Sequence, residues 1–445
     1  MINDKSKRIL SKQTPEFIGK KVILKGWVKT RRDHGKLIFL DLRDRSGIVQ
    51  LVVNPKVSQE SYQKAQDLKL EYVIKVQGSV KQRPTHTINK EIETGSVEIE
   101  IEDIEIISKA ETLPFDMGAD VLNLELPTLL DHRSLTLRHS KIKKIFQVQS
   151  EILKGFRKAA EDLGCVEVVV PTIVVSSTEG GSELFEIGYY AHKAYLSQSP
   201  QLYKQMMVPI FERVWTIAHA YRAEPSVTTR HLSETTQLDC EFGFVTFEDL
   251  LDLLEKVAVE MFKYVESACS LVEKTEYGKI PRLTLREAQE TIYKEFGRDN
   301  RKEKDLTPQD EIDICKWAKE KYKSDLVTIT HFPTKAKPFY IMPDPKNPDY
   351  SLSYDLLFKG VEILSGGQRI HDYNQLVKAI KDQGMNPKSF KMYLMAFKYG
   401  MPEEGGFSFG LERITMKLLG LANIREASLF PRDMERVDER FSAID

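Results

Sequence analysis

Arginines and a histidine crowd together between Tyr221 and Phe244, in the stretch YRAEPSVTTRHLSETTQLDCEFGF. Arg222 opens it, a loop of small and β-branched residues follows, and Arg230-His231-Leu232 turns the chain back along a run that alternates acidic, polar and apolar side chains. This is the pattern of a hairpin with an arginine near each inner end. Paired guanidiniums at a hairpin mouth suit a polyphosphate, because the planar fork grips oxygens in bidentate fashion and never loses its charge. Alone, the stretch fits an exposed hairpin with solvated ion pairs equally well.

The chain that must position this hairpin has 445 residues, 41% hydrophobic and 29% charged, with a net charge of -1. That describes a globular protein of two or three domains and excludes wholesale disorder. Charge is uneven: residues 1–45 hold thirteen Lys or Arg against five Asp or Glu. A basic module on a neutral body hints at a phosphate-backbone partner, although a solvated basic face is the commoner cause. Cys165, Cys240, Cys269 and Cys315 lie far apart, which argues against a zinc ribbon or disulfide framework and for reduced thiols in a cytoplasmic setting. The start MINDKSKRIL has no apolar signal core, and no apolar run reaches the length of a membrane span; neither secretion nor membrane insertion is expected.

Residues 20–53 alternate as three short strands with tight turns, followed by a helix from Ser58 to Leu68 and strands over Glu71–Val80 and Ser96–Ile107. Five strands and one helix in this order fit a small oligonucleotide-binding barrel, the OB-fold, which takes single strands in a basic groove with aromatic stacking. Phe39 and Gln50 then lie on neighbouring strands, one able to stack on a base and the other to bond its edge; on spacing alone, core packing is the better account of Phe39.

The pattern loosens around Pro114 and Pro127, which reads as a hinge over residues 109–137. A helix from Ser140 to Leu163, ended by Gly164, leads into a buried-type strand over Cys165–Val170 closed by Pro171. The glycine-bearing acidic loop TEGGSELF and the segment QSPQLYKQ precede the hairpin, and an amphipathic helix from Phe247 follows it. Residues 270–335 read as a partly helical peripheral insertion. Strands return at Ser353–Phe358 and Val361–Arg369, and a Gly-rich strand runs into a helix at Gly410-Leu411-Glu412-Arg413.

Together these segments resemble the class II aminoacyl-tRNA synthetases. Pro171 after its helix–strand unit, Arg222-Ala223-Glu224 with Arg230-His231-Leu232, and Gly410 to Arg413 look like the three class motifs in order. An N-terminal barrel before the catalytic domain marks the aspartate, asparagine and lysine subgroup. TEGGSELF, QSPQLYKQ and SGGQRIHD are similar to the aspartyl-tRNA synthetases nearly word for word. The resemblance implies an α+β protein: an OB-fold anticodon-binding barrel over 1–108, and over 138–445 a catalytic domain with an antiparallel sheet flanked by helices. The barrel segment RRDHGKLIFLDLRDRSGIVQ looks bacterial, whereas KPFYIM and FKYGMPEEGG look archaeal or eukaryotic. A second departure is Ser408, where motif 3 has its middle glycine; a positive φ or a close approach to adenosine there would disfavour serine.

By the resemblance, ATP binds at Arg222, Ala223, Glu224, Arg230, His231, Leu232, Glu362, Gly410, Leu411, Glu412 and Arg413. Arg222 and Arg413 are the catalytic cations, on the α-phosphate with the amino-acid carboxylate and on the γ-phosphate respectively. Glu224 takes the adenine amino group and His231 contacts the phosphates. Glu362 and Ser365 offer hard oxygens to Mg²⁺. The aspartate site comprises Glu179, Gln201, Lys204, Arg222, Asp239, Ser365 and Arg369. Lys204 and Arg369 hold the β-carboxylate, since a buried unpaired charge is very costly; Asp239 and Gln201 accept from the ammonium, and Glu179 closes over it. Phe39 becomes a base-stacking residue with Gln50 beside it. The implied activity is ATP-dependent activation of L-aspartate and transfer to tRNA(Asp), extending to tRNA(Asn) in a non-discriminating enzyme, by a cytoplasmic homodimer paired through the helix ahead of Pro171. The rivals are an asparaginyl enzyme on the same fold, expected to lack the Lys204 cation, a catalytically silent RNA-binding paralogue, and a tRNA-independent amidating enzyme.

Overall fold

The computed structural model describes residues 7–119, 121–175, 184–224 and 228–443. The chain divides into two units, Met1–Leu124 and Glu125–Asp445. In the first, β1 (Lys21–Asp33), β2 (Ile38–Arg43), β3 (Ile48–Val53), β4 (Val73–Gln82) and β5 (Val97–Ser108) close into a barrel in the order β1-β2-β3-β5-β4. Helix α1 (Gln59–Gln66) lies between β3 and β4 in the chain, its N-terminus capped by the Ser58 hydroxyl. Strand alternation builds the interior: Ile38, Leu40 and Leu42 are fully buried, while Phe39, Asp41 and Arg43 take the other face. Phe39 is therefore half-buried on the outside, edge-on to His34 at 5.4 Å, and not a core aromatic. Gln50 stands opposite Asp41 on the same outer face, its Nε2 donating to Glu98 at 3.2 Å.

The second unit opens with α2 (Leu126–Asp131), α3 (Arg133–Thr136) and α4 (Ser140–Asp162), followed by the short strand β6 (Val166–Glu167). A small sheet comprises β7 (Ile173–Val174), β8 (Glu186–Tyr189) and β9 (His192–Leu196). Helix α5 (Gln201–Phe211) leads to the hairpin strands β10 (Arg213–Tyr221) and β11 (Glu234–Gly243), and α6 (Phe247–Ala268) follows. Next come β12 (Arg282–Thr284), α7 (Leu285–Phe296), α8 (Pro308–Tyr322), β13 (Leu326–Thr330) and the ribbon β14 (Pro343–Asp344) and β15 (Asn347–Ser351). The chain ends with β16 (Ser353–Phe358), β17 (Val361–Gln368), α9 (Tyr373–Asp382), α10 (Lys391–Lys398), β18 (Glu404–Gly410) and α11 (Leu411–Leu418).

Eight strands form the main sheet in the order β12-β13-β16-β17-β18-β11-β10-β6. It is antiparallel from β13 to β10 and parallel at both edges. On one face Leu238, Cys240, Phe242, Phe407, Phe409 and Leu364 pack with Ile152 and Phe156 of α4 and Leu254 and Phe262 of α6. The period of two sends their neighbours to the opposite face, where polar residues gather.

Three expectations change. Residues 125–137 belong to the larger unit: buried Arg133 donates to the carbonyls of Leu429, Glu426 and Ser428. Cys165–Val170 is not a buried strand, since β6 spans two residues at the sheet edge and Val169 is 95% exposed. Nor is the 270–335 segment wholly peripheral, because β12 and β13 extend the main sheet. Their apolar residues Leu283, Val327 and Ile329 bury against α7 and α8, which periodicity alone could not assign to a common sheet.

Candidate active site

The hairpin carries the cleft. Strand β10 ends at Tyr221 and β11 begins at Glu234, paired to each other, so Arg222, Glu224, Arg230 and His231 all fall in the connection between them. All four line one cavity of ≈ 250 Å³, with Glu362, Ser365, Arg369, Ser408 and Arg413. Glu179 and residues 225–227 lie outside the described residues.

Register assembles the floor. Asp239 of β11 is opposite Ser408 of β18, Ser408 is opposite Ser365 of β17, and Ser365 is opposite Asp355 of β16. This polar row crosses four strands on the face away from α4 and α6. Ser408 is not among the residues with positive φ, so the serine in place of the motif's glycine carries no backbone strain, and its Oγ donates to Asp239 Oδ2 at 3.0 Å.

Beside the cleft, Lys204 is 1% exposed and bridges Asp239 Oδ1 at 2.8 Å and Glu241 Oε2 at 2.9 Å. Arg369 Nε donates to Glu241 Oε1 at 2.8 Å, and Nη2 donates to Gln201 Oε1 at 3.2 Å and the Gly406 carbonyl at 2.9 Å. Tyr340 covers the guanidinium at 5.4 Å. Burial works against the Lys204 charge, but the Asp239 and Glu241 carboxylates hold its pKa above the ordinary lysine value. Burial likewise opposes the Glu241 charge, and Arg369 and Lys204 overcome it. A Cβ at Gly406 would lie 2.4 Å from Glu241 Oε2; glycine there makes room for the carboxylate.

These contacts add a role for Asp239. Each Asp239 oxygen holds one donor inside the protein, Lys204 on Oδ1 and Ser408 on Oδ2, so Asp239 also orients the lysine. Glu241 was not anticipated, although Asp239 and Glu241 stand two apart on one strand, which puts both acids on one face.

In the cleft lining, Arg413 Nη1 donates to the Glu362 carbonyl at 3.0 Å and lies 3.4 Å from its Oε2. Arg230 Nη1 donates to Glu311 Oε2 at 2.6 Å. His231 Nδ1 is 2.6 Å from Thr228 Oγ1, and its Nε2 is 4.0 Å from Glu224 Oε2. Burial pushes the His231 pKa below the ordinary histidine value, with Glu224 opposing and the neighbouring arginines adding to the fall. Leu232 is buried with Val361, Met416, Ile424 and Ala427 and anchors the returning loop. Gly410 ends β18, and Leu411 begins α11 buried in the core. Asp355, absent from the sequence reading, is pushed up to about 6 by burial, with Glu362 adding to the rise and Lys337 opposing it.

Glu412 accepts the Thr236 backbone N–H at 3.1 Å on both oxygens, and burial pushes its carboxyl up to about 7 from the ordinary 4.5. A folded value above the unfolded one means that the stability from this group is full below the unfolded value and lost as pH rises through about 7. Glu412→Gln abolishes that dependence. The stability of the parent relative to Glu412→Gln is expected to fall by on the order of 2–3 kcal/mol between pH 5 and pH 8, measured by denaturant unfolding at each pH.

Comparison with known proteins identifies the family. Residues 125–434 match the model of the tRNA synthetases class II (D, K and N), and residues 22–107 match that of the OB-fold nucleic acid binding domain. The aspartate–tRNA(Asp) ligase of Pyrococcus horikoshii is 40% identical over 95% of this chain and 97% of its own. The chain belongs to the aspartate–tRNA ligases of class II. The aspartate–tRNA(Asp/Asn) ligase of Archaeoglobus fulgidus is also 40% identical, over 95% of this chain and 97% of its own. Among solved structures, the asparaginyl-tRNA synthetase of Pyrococcus horikoshii complexed with asparaginyl-adenylate superposes with a TM-score of 0.88 at 31% identity, covering 97% of this chain and 99% of that one. The fold is thus shared across both amino-acid specificities, while sequence identity sides with aspartate. As a class II synthetase this chain uses ATP as substrate, and its OB-fold unit makes tRNA its macromolecular partner. No helix among the described residues of this synthetase is long and apolar enough to cross a membrane.

Proposed function

We propose that this synthetase joins L-aspartate to ATP as aspartyl-adenylate and passes the aspartyl group to the 3′ end of tRNA(Asp). The observation that carries the aspartate reading is the pair of buried cations, Lys204 and Arg369, tied together through Glu241 beside the arginine-lined cleft. A β-carboxylate suits these donors, whereas an asparagine amide would set its NH₂ group against them. Lys204 does not itself line the cleft; Arg369 is the direct partner and Lys204 supplies the charge behind it. In activation the α-carboxylate of aspartate attacks the α-phosphorus, a C–O–P linkage forms, and the bond to pyrophosphate breaks. Negative charge builds on phosphate oxygens, so Arg222 at the α-phosphate and Arg413 at the γ-phosphate act by positioning and electrostatics. Glu224 selects adenine and His231 contacts the phosphates.

Mg²⁺ fits the donor set. Glu362 and Ser365 supply hard oxygens, and Asp355 stands beside Ser365 in register. Asp355 already accepts from Lys337 Nζ at 3.2 Å. Among the described residues no three His, Cys, Asp or Glu side chains form a ready metal cage, so phosphate oxygens would complete the coordination. When bound, the ion neutralises the polyphosphate charge.

In the barrel, Phe39 stacks on an anticodon base and Gln50 bonds its edge. Two copies pair through α4, the helix ahead of Pro171, continued by the exposed Val169, Ile173 and Val175, in keeping with the preference for two-fold assemblies. The four cysteines are free thiols, as a reducing cytoplasm requires.

ATP–pyrophosphate exchange with each amino acid tests the reading. Aspartate is expected to support exchange and asparagine not; exchange with asparagine alone overturns it, and tRNA binding without any adenylate identifies a silent paralogue. Charging purified tRNA(Asp) and tRNA(Asn) then assigns the chain to one or the other kind of relative.

A further inference from the structure

Helix α8 begins against the turn that joins β16 to β17. Gly360 in that turn has φ +84°, and a Cβ there would lie 3.0 Å from Ile312 Cγ1 and 3.2 Å from Ile312 Cα. A side chain at this position would push the helix away, and the left-handed backbone disfavours one in any case. The close seat brings Glu311, the neighbour of Ile312 in the first turn of α8, up to the cleft. Its Oε2 accepts from Arg230 Nη1 at 2.6 Å, while Arg230 Nη2 donates to the Gly360 carbonyl at 3.4 Å. Both side chains are mostly buried, Arg230 22% and Glu311 15% exposed, where an ion pair is less screened than at the surface.

Arg230 is thus held by a helix and a turn that lie 81 and 130 residues further along the chain, although it sits on a loop that has no strand partner of its own. A guanidinium has five N–H donors, and these two contacts leave donors for a ligand in the cavity that Arg230 lines.

We propose that Glu311 is a positioning residue of the nucleotide end, which orders the Arg230 guanidinium for the phosphates of ATP and so lets helix α8, outside all three class motifs, set ATP affinity. The inference rests on the reading of Arg230 as a phosphate-binding residue. Without this anchor the long side chain regains rotamer freedom, and each phosphate contact must then offset the cost of ordering it.

The test is ATP–pyrophosphate exchange with ATP varied at saturating aspartate, and the converse. Glu311→Ala is expected to raise KM for ATP about 10-fold and to leave KM for aspartate within about 2-fold, with Glu311→Gln, which keeps an acceptor oxygen, falling between. Arg230→Ala and the double variant Arg230→Ala/Glu311→Ala are expected to share one KM for ATP, because a positioning residue has nothing left to position. Thermal melting of each variant verifies that it is folded. An equal rise in both KM values, or a double variant weaker than Arg230→Ala, overturns the proposal. An unchanged KM for ATP in Arg230→Ala also overturns it, by removing the residue it acts through, whereas a parent protein with no exchange at all defeats the functional reading itself.

Discussion

Replacing Arg222 with alanine is expected to lower the rate of ATP–pyrophosphate exchange by about 10²–10³-fold. Arg222 lines the cleft at the point where the loop leaves β10, with its Nη1 4.0 Å from Glu224 Oε1. A donor preorganised toward developing charge on the α-phosphate acts mainly in the transition state, so the loss falls on kcat. Arg222→Lys should recover little, because an ammonium cannot span two acceptors as the planar fork does. The side chain is 43% exposed, so stability should change little, and the thermal midpoint separates a chemical defect from a folding one. Near-parental exchange by Arg222→Ala would remove the central assignment.

Lys204→Met carries the second large effect, and here stability and activity fail together. The substitution leaves Asp239 and Glu241, both fully buried, with Arg369 as the remaining bonded cation. Removing one partner of a buried ion pair costs about 3–5 kcal/mol, because the survivor stays desolvated without its counter-charge. A matching drop in urea-unfolding free energy is expected, together with loss of aspartate-dependent exchange. Lys204→Met/Asp239→Asn removes one charge of each sign and should recover much of the stability without the activity. If Lys204→Met kept parental stability and a parental KM for aspartate, the lysine would have no part in the pocket.

The arginines that line the cleft are its more legible part in sequence. Arg222, Arg230 and Arg413 stand in short local motifs, and local motifs survive translation into structure because adjacent residues stay adjacent. The barrel was legible for a related reason: five short strand runs with one helix between the third and fourth leave few ways to bury Leu40 and Ile99 together. Phe39 is read as core when taken as a lone aromatic, although it shares parity with Asp41 and Arg43, and that parity puts it on the polar face.

What the sequence determined by itself was the two-part α+β architecture, the hairpin, and the identity of the arginines at its mouth, all carried by short-range periodicity and spacing. The tertiary structure decided the charge economy of the site. Asp355, Ser365, Ser408 and Asp239 become neighbours because four strands align in register, and the pairing of Lys204 with Glu241 needs α5 laid against β11. Glu311 reaches Arg230 because α8 seats on a glycine turn. The cost of leaving a charge buried without a partner selects such contacts after the fold forms, and one-dimensional spacing contains no record of them.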